Sequence, residues 1–396
     1  MEEHGVSSRV PQLSSMGGID SILVVRLKAL GDIVLSLPIV YALRETFPAA
    51  WIGYLCRPQY ADALVGVAAL DEVLTLPNSF VGQGALAMEL RRRRIDCIID
   101  FLGSPRSALI ALLTGARVRI GMDTGRRNRY YHSLLPRVIM RDGVRLKCYT
   151  LESNLELIGM LGLKSSLRER VARERAAAGA QPPCAEERAR RPLRPQPHWL
   201  AMGFPAADGE RGWAAEYARS IGGGRSKLVG IVPGSVYRAK SWPEEHFTAL
   251  AAMISEQLGC IPLVLWGPSE EAIARRIVET SGAAVLAPPT GIARLGALIS
   301  TLSVLVGPDS GPKHIAVVEG VPTVTLFGPT DPAIWDPMTE RHRAISANSD
   351  CAPCRKKVCE PNRCLADISP ERVLAEIADV LGLAPRGTAC AGEGIE

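Results

Sequence analysis

At 396 residues the chain exceeds the ~100 to 200 residues of a usual single domain, so two domains are expected. A hydrophobic content of 47% is ample for buried cores, and a net charge of +5 is too mild to point to nucleic acid. No apolar run reaches the ~18 residues of a spanning helix, and the polar start, with Glu2 and Glu3, lacks the apolar stretch of a secretory signal. The expected location is therefore the cytoplasm, with peripheral contact at the inner face of a membrane left open. Of the ten cysteines, Cys351, Cys354, Cys359 and Cys364 are bunched and the rest isolated, unlike the even stapling of an oxidised secreted scaffold.

In chain order, residues 22–26 (ILVVR) form an apolar, β-branched run that suits a central parallel strand. LKALGDIVLSLP follows as a glycine turn, then a helical pattern over 39–46. Strands are expected at 51–56, 73–76, 97–101 and 117–121, with helices at 58–65, 85–94 and 105–113 between them. That alternation predicts a doubly wound sheet. From 164 to 211 the pattern gives way to Ala, Arg, Glu and Pro without an apolar stripe, which reads as a connection that is helical in part.

A second alternating block starts at Lys227. It has expected strands at 228–232, 262–266, 284–286, 303–306 and 323–327, and helices at 244–257, 270–281 and 292–301, plus a short one from about Lys313. ISPERVLAEIADVLGL is expected to close the block as a capped amphipathic helix. The expected domains are 19–163 and 227–383, joined by a low-complexity connection over 164–226. Both are α/β, with a cleft between them.

The residues suited to chemistry fall in the turns after strands. In VGPDSGPKHIAVVEGVPTVTLFGPTDP, Asp309 and Ser310 are helix-capping types and Gly311 admits close backbone approach, so this turn is expected to hold a phosphate. His314 either donates to a phosphate or sugar oxygen there or is structural. In VPGSVYRAKSWPEEHF, Gly234 and Ser235 form a possible phosphate turn to which Arg238 and Lys240 bring cations; the plain alternative is a solvated basic loop.

Glu270 and Glu271 in LWGPSEE either complement a helix dipole or bind ribose hydroxyls. Asp32 either satisfies donors at a helix start or, if partly buried, acts as a base. Arg57, Arg106, Arg126 and Arg127 lie in expected loops that suit an anionic acceptor. Arg91 to Arg94 read as a solvated helix face. The C-x2-C-x4-C-x4-C spacing of Cys351, Cys354, Cys359 and Cys364 admits a structural zinc or four reduced thiols.

Taken together, RLKALGDIVLSLP, PGSVYRAKSWPEEHF, LWGPSEE and the long VGPDSGPKH motif resemble glycosyltransferase family nine, the lipopolysaccharide heptosyltransferases. The resemblance implies a GT-B fold, two Rossmann-like domains with parallel sheets facing across a cleft. It implies inverting, metal-independent transfer of heptose from ADP-L-glycero-D-manno-heptose to the lipopolysaccharide inner core or another anionic glycan. It implies no required cofactor, no nucleic-acid partner and at most transient contact with the inner membrane.

By the same resemblance Asp32 is the general base and Lys240 the cation that meets the departing diphosphate. Glu270 or Glu271 takes the ribose, Asp309, Ser310, Gly311 and His314 meet the donor sugar and diphosphate, and Gly328 and Thr330 border the nucleotide. The alternatives are a nucleotide-sugar epimerase of the same architecture and a nucleotide-sugar binding protein without turnover.

Overall fold

The computed structural model describes residues 12–125, 127–136, 140–141, 144–145, 148–177, 201–223, 226–347, 349–359 and 363–384. The chain divides into two compact units, Met1–Ala189 and Arg190–Glu396.

In the first unit β1 (Ser21–Val25), β2 (Trp51–Cys56), β3 (Glu72–Thr75), β4 (Cys97–Asp100), β5 (Val118–Met122) and β6 (Ser133–Leu135) form one sheet in the order β3-β2-β1-β4-β5-β6. All neighbours are parallel, and Val24 pairs with both Tyr54 and Ile99. The apolar run in β1 is buried on both faces: Leu23 and Val25 join the core under α2 (Phe80–Arg92) and α3 (Pro105–Leu113), while Ile22 and Val24 alternate to the other face.

Helix α1 (Leu30–Thr46) begins at Leu30, well before the expected 39, and runs through Pro38. Gly31 and Pro38 lower its helix propensity, but Ile33 to Leu43 are almost wholly buried and α1 packs on α4 (Thr150–Met160), so tertiary packing decides. Residues Pro58–Leu64 are a 3-10 helix. A two-strand antiparallel pair, β7 (Met140–Arg141) and β8 (Val144–Arg145), follows β6. Within the expected connection, α5 (Ser166–Ala177) and α6 (Asp208–Gly222) are helical, and α6 ends on Gly223 at φ +58°, a left-handed cap that suits glycine.

The second unit repeats the plan. Strands β9 (Leu228–Ile231), β10 (Ile261–Val264), β11 (Val285–Leu286), β12 (Val304–Pro308), β13 (Thr323–Phe327) and β14 (His342–Ser346) form a parallel sheet in the order β11-β10-β9-β12-β13-β14. Around it lie α7 (Glu244–Leu258), α8 (Glu271–Ser281), α9 (Ile292–Ile299), α10 (Gly311–Val318), α11 (Pro332–Trp335), α12 (Arg363–Ala366) and α13 (Pro370–Leu381). Trp242 is buried and donates its indole N–H to the Ile368 carbonyl at 2.9 Å, pinning the loop after β9 to the approach of α13.

In each sheet the strand order reverses beside the first strand, between β1 and β4 and between β9 and β12. Ligands of open α/β sheets bind outside the carboxyl ends of strands at such points. Among the described residues no helix is long and apolar enough to cross a membrane.

Candidate functional site

A buried polar cluster of the second unit stands where β12 meets α10. Lys240, from the loop after neighbouring β9, donates to the Asp309 carboxylate at 2.7 Å and to the Asp309 carbonyl at 2.9 Å. His314 Nε2 lies 3.5 Å from the other carboxylate oxygen. Burial pushes the Asp309 carboxyl up, but the His314 hydrogen bond and the charges of Lys313 and Lys240 outweigh it and hold the group well below the usual carboxylate range. Asp309 is therefore a buried anion that fixes Lys240 in place.

Ser310, not Asp309, occupies the N-cap of α10, and its hydroxyl makes no cap bond. Among the described residues Ser310 Oγ is buried without a hydrogen-bond partner, and so is Thr330 Oγ1 after the adjacent strand β13. An unpartnered buried hydroxyl costs roughly 1–3 kcal/mol. Two such groups at the ends of adjacent strands mark a place where a polar ligand would complete the structure. Gly328 lies buried before Thr330, under Cys364 and Leu365.

The glutamates, equivalent in the sequence, separate in the fold. Glu270 turns inward and accepts from the Gly267 N–H at 2.9 Å, while its carboxylate rests on Gly234, where an added Cβ would come within 2.1 Å of it. A Cβ at position 234 would displace the Glu270 carboxylate from this place. Glu271 points outward and pairs with Arg275 at 2.6 Å one helical turn on. Ser235 lies partly exposed beside them, its hydroxyl 3.5 Å from the Tyr237 N–H.

The bunched cysteines lie on a segment laid along this site. The Ala239 N–H donates to the Lys357 carbonyl at 3.1 Å and the Arg355 N–H to the Pro329 carbonyl at 2.7 Å. Lys240 and Lys357 both stand over the Tyr237 ring, at 5.9 and 5.5 Å. Burial pushes the Cys364 thiol up, and Cys351, Cys359 and Cys354 push the same way. Among the described residues no group of three or more His, Cys, Asp or Glu side chains is placed to hold a metal.

Sequence reasoning overlooked Lys313 and Asp336. Lys313 is only 2% exposed, lies 3.6 Å from the fully buried Asp336 carboxylate and donates to the Trp335 carbonyl. Burial pushes Lys313 down, against the pull of Asp336 and Asp309, and burial pushes the Asp336 carboxyl up. The available signal was a lysine on a helix whose neighbouring residues are apolar. Removing one partner of a buried pair typically costs ~3–5 kcal/mol. Lys313→Met is expected to lower denaturant stability by about that much, and Lys313→Met with Asp336→Leu to recover most of it; equal losses in the single and double variants would refute the pairing.

In the first unit Asp32 lies in the first turn of α1. Its carboxylate pairs with Arg26 at 2.7 Å and accepts from the Ala29 N–H at 3.2 Å, and its side chain keeps 20% exposure. Arg26 in turn donates to the Phe101 carbonyl after β4. The helix-start role read from the sequence is thus present, and the carboxylate remains accessible.

Arg57 follows β2, Arg106 opens α3 after β4, and Arg127 follows β5, so these residues and Asp32 leave the carboxyl ends of adjacent strands. Arg127 Nε donates to the Gly103 carbonyl at 2.5 Å. Arg126 lies outside the described residues. Asp100, which the sequence reading passed over, is fully buried at the end of β4 and accepts from the Leu102 and Gly103 N–H groups at 2.8 and 3.0 Å and from the Tyr131 hydroxyl at 2.5 Å. It shapes the loop that carries Arg106.

Comparison with known proteins agrees with this plan. Residues 201–364 match the model of glycosyltransferase family 9 (heptosyltransferase). The lipopolysaccharide heptosyltransferase 1 of Pseudomonas aeruginosa is 26% identical over 198 residues, 46% of this chain and 55% of that protein, so this match spans about half its length. The lipopolysaccharide heptosyltransferase 2 of Escherichia coli is 24% identical over 380 residues, 91% of this chain and 98% of that protein. The solved structure of the E. coli ADP-heptose lipopolysaccharide heptosyltransferase II superposes with a TM-score of 0.65 at 21% identity, covering 91% of this chain and 98% of that one, which gives the GT-B fold of two Rossmann-like domains. By sequence motif, by the family model over residues 201–364 and by fold, the chain is similar to the glycosyltransferases of family 9, the heptosyltransferase family.

Proposed function

We propose that the chain transfers L-glycero-D-manno-heptose from its ADP-linked form to the inner core of lipopolysaccharide, with inversion at the anomeric carbon. The observation that carries this reading is the Lys240–Asp309 pair beside two unpartnered hydroxyls, Ser310 and Thr330, at the ends of adjacent strands. The names of the matched relatives support the choice of donor and acceptor.

In the proposed step an acceptor hydroxyl oxygen bonds to the anomeric carbon as the bond from that carbon to the diphosphate oxygen breaks. Asp32 takes the hydroxyl proton. The electron pair leaves with ADP, whose new charge is met by Lys240, by the turn Asp309 to Gly311 and by the Ser310 hydroxyl. A cation already fixed by a buried carboxylate needs no reorganisation as that charge develops, and such preorganised groups lower a barrier most. Gly234 and Ser235 line the diphosphate, His314 meets the sugar, and Gly328 and Thr330 border the nucleotide. Arg57, Arg106, Arg126 and Arg127 receive the anionic acceptor. The reaction belongs on the cytoplasmic side of the inner membrane, where the lipid-linked acceptor is approached.

For the ribose hydroxyls we assign Glu270 over Glu271, because Glu270 is held inward between two strand-end turns and Glu271 is engaged by Arg275. A hydrogen bond to a charged group contributes ~1.5–3 kcal/mol. Glu270→Gln is therefore expected to weaken ADP binding by about tenfold, and Glu271→Gln to leave it within about twofold, by titration calorimetry. The reverse order would move the ribose to Glu271.

The donor assignment is tested by titrating ADP-heptose, GDP-mannose and UDP-N-acetylglucosamine against the protein. ADP-heptose should bind tightest, and preference for a uridine or guanosine donor would overturn the choice.

A further inference from the structure

Helices α2 and α3 lie side by side and turn one flank to the sheet through Leu86, Ala87 and Leu90 and through Ala108, Ile110 and Ala111. A solvated outer flank would be polar. Here it carries Phe80, Val81 and Met88 on α2 and Leu109, Leu112 and Leu113 on α3, with Phe80 and Val81 82% and 85% exposed. Grouped exposed apolar residues of this size mark an interaction surface.

The same two helices end at an open cavity of about 320 Å³ lined by Arg91, Arg94 and Arg117 together with Thr114 and Gly115. Its one carboxylate, Asp96, is already occupied: it accepts from the N–H groups of Asp20 and Ser21 at 2.9 and 3.0 Å and from the Ser21 hydroxyl at 3.0 Å. Glu89, the acidic residue on the outer flank of α2, is taken by Arg93 at 2.6 Å. Arg117 donates to the carbonyls of Gly17 and Gly18. Arg91, Arg92 and Arg94 have no carboxylate partner among the described residues. Arginines in the last turn of a helix complement its dipole, which accounts for their place in the sequence but not for the apolar flank that leads up to them.

We propose that the outer flank of α2 and α3 docks this glycosyltransferase on an anionic phospholipid surface. The apolar side chains enter the boundary between headgroups and acyl chains, and the cavity of Arg91, Arg94 and Arg117 receives a lipid phosphate. Long arginine stems lie along apolar surface while their guanidinium groups reach the phosphate layer, so one face satisfies both kinds of contact.

Within the first unit the arginine cavity is set apart from Asp32, Arg57 and Arg127, whereas Arg106, in the first turn of α3, stands on the outer flank itself. Arg94 and Arg117 precede β4 and β5 at the amino edge of the sheet, whereas Asp32, Arg57 and Arg127 follow their strands at the carboxyl edge. The inference does not depend on which sugar is transferred.

The test is co-sedimentation of the full chain with vesicles of equal parts phosphatidylglycerol and phosphatidylethanolamine, beside vesicles of phosphatidylcholine alone. Binding is expected to the anionic vesicles only, to weaken with added salt, and to fall by about tenfold or more in Arg91→Gln/Arg94→Gln, since each arginine near such a surface counts for a several-fold change in affinity. Met88→Ser/Leu109→Ser/Leu113→Ser should lose binding comparably. Because these positions are exposed, both variants should keep the parent's thermal unfolding and its transfer to a soluble acceptor fragment. Absence of sedimentation with anionic vesicles, or binding unchanged in both variants, would overturn the proposal. So would self-association of the parent, seen by sedimentation velocity, that the serine variant abolishes, because a second copy of the chain would then be the occupant.

Discussion

Asp32→Asn is expected to reduce single-turnover transfer by about 10²- to 10⁴-fold, the usual contribution of a positioned proton acceptor, while ADP-heptose binding stays within about twofold. Asparagine keeps an oxygen to accept from the Ala29 N–H, so the start of α1 is preserved, but it takes no proton from the acceptor hydroxyl. The variant also loses the ion pair with Arg26. That pair keeps only 18% and 20% side-chain exposure, so thermal unfolding of the variant is measured beside its turnover, and a transition like the parent's excludes loss of fold as the cause. Rapid-quench transfer and calorimetric donor binding on the same preparation separate the outcomes. Full turnover in the variant would remove Asp32 as the base, and lost donor binding would make it a structural residue.

Lys240→Ala is expected to lower turnover by about 10²- to 10³-fold, as for removal of one preorganised donor at a developing anion, with a much smaller change in donor affinity. The charge on the diphosphate grows as the bond to the sugar breaks, so a cation beside it matters more in the transition state than in the bound donor. Lys240 also neutralises Asp309, and the two effects need to be told apart. In Lys240→Ala/Asp309→Asn no buried carboxylate is left short of a partner, so stability should return toward the parent while turnover stays low. Recovery of turnover in the double variant would show that Lys240 acts only by holding the fold. Normal turnover with weaker donor binding in the single variant would confine it to ground-state binding.

The alternation of strands and helices was legible because each element carries its own period. Trp51–Cys56 is a largely buried apolar run with two aromatics, Thr323–Phe327 is a buried run rich in β-branched residues and Pro105–Leu113 is a capped apolar helix, and all three stand where expected. What escaped had little local signal. Ser133–Leu135 is three residues long, and His342–Ser346 is a mostly polar sequence that becomes a strand by pairing with β13. The start of α1 was hidden by Gly31 and Pro38, whose low propensity is overridden by burial.

The site divides along the same line. Asp32, Lys240 and Asp309 could be singled out because each follows a strand in a motif, whereas the partnership of Lys240 with Asp309 joins loops from different strands and appears only in the fold. Glu270 and Glu271 are adjacent and chemically alike, and only the close approach of Gly234 shows which one turns inward. Lys313 lies inside the VGPDSGPKH motif, but its partner Asp336 belongs to a separate segment, and no spacing rule connects them.

The central claim, heptose transfer from an ADP-linked donor, is tested most directly by incubating the protein with ADP-L-glycero-D-manno-heptose and lipopolysaccharide from a heptose-deficient strain, then following ADP release and acceptor mass together. Release of ADP in step with the gain of one heptose per acceptor, in the anomeric configuration opposite to that of the donor, is the predicted result. Donor that binds without any heptose reaching the acceptor, or that returns as an epimerised nucleotide sugar, would contradict it.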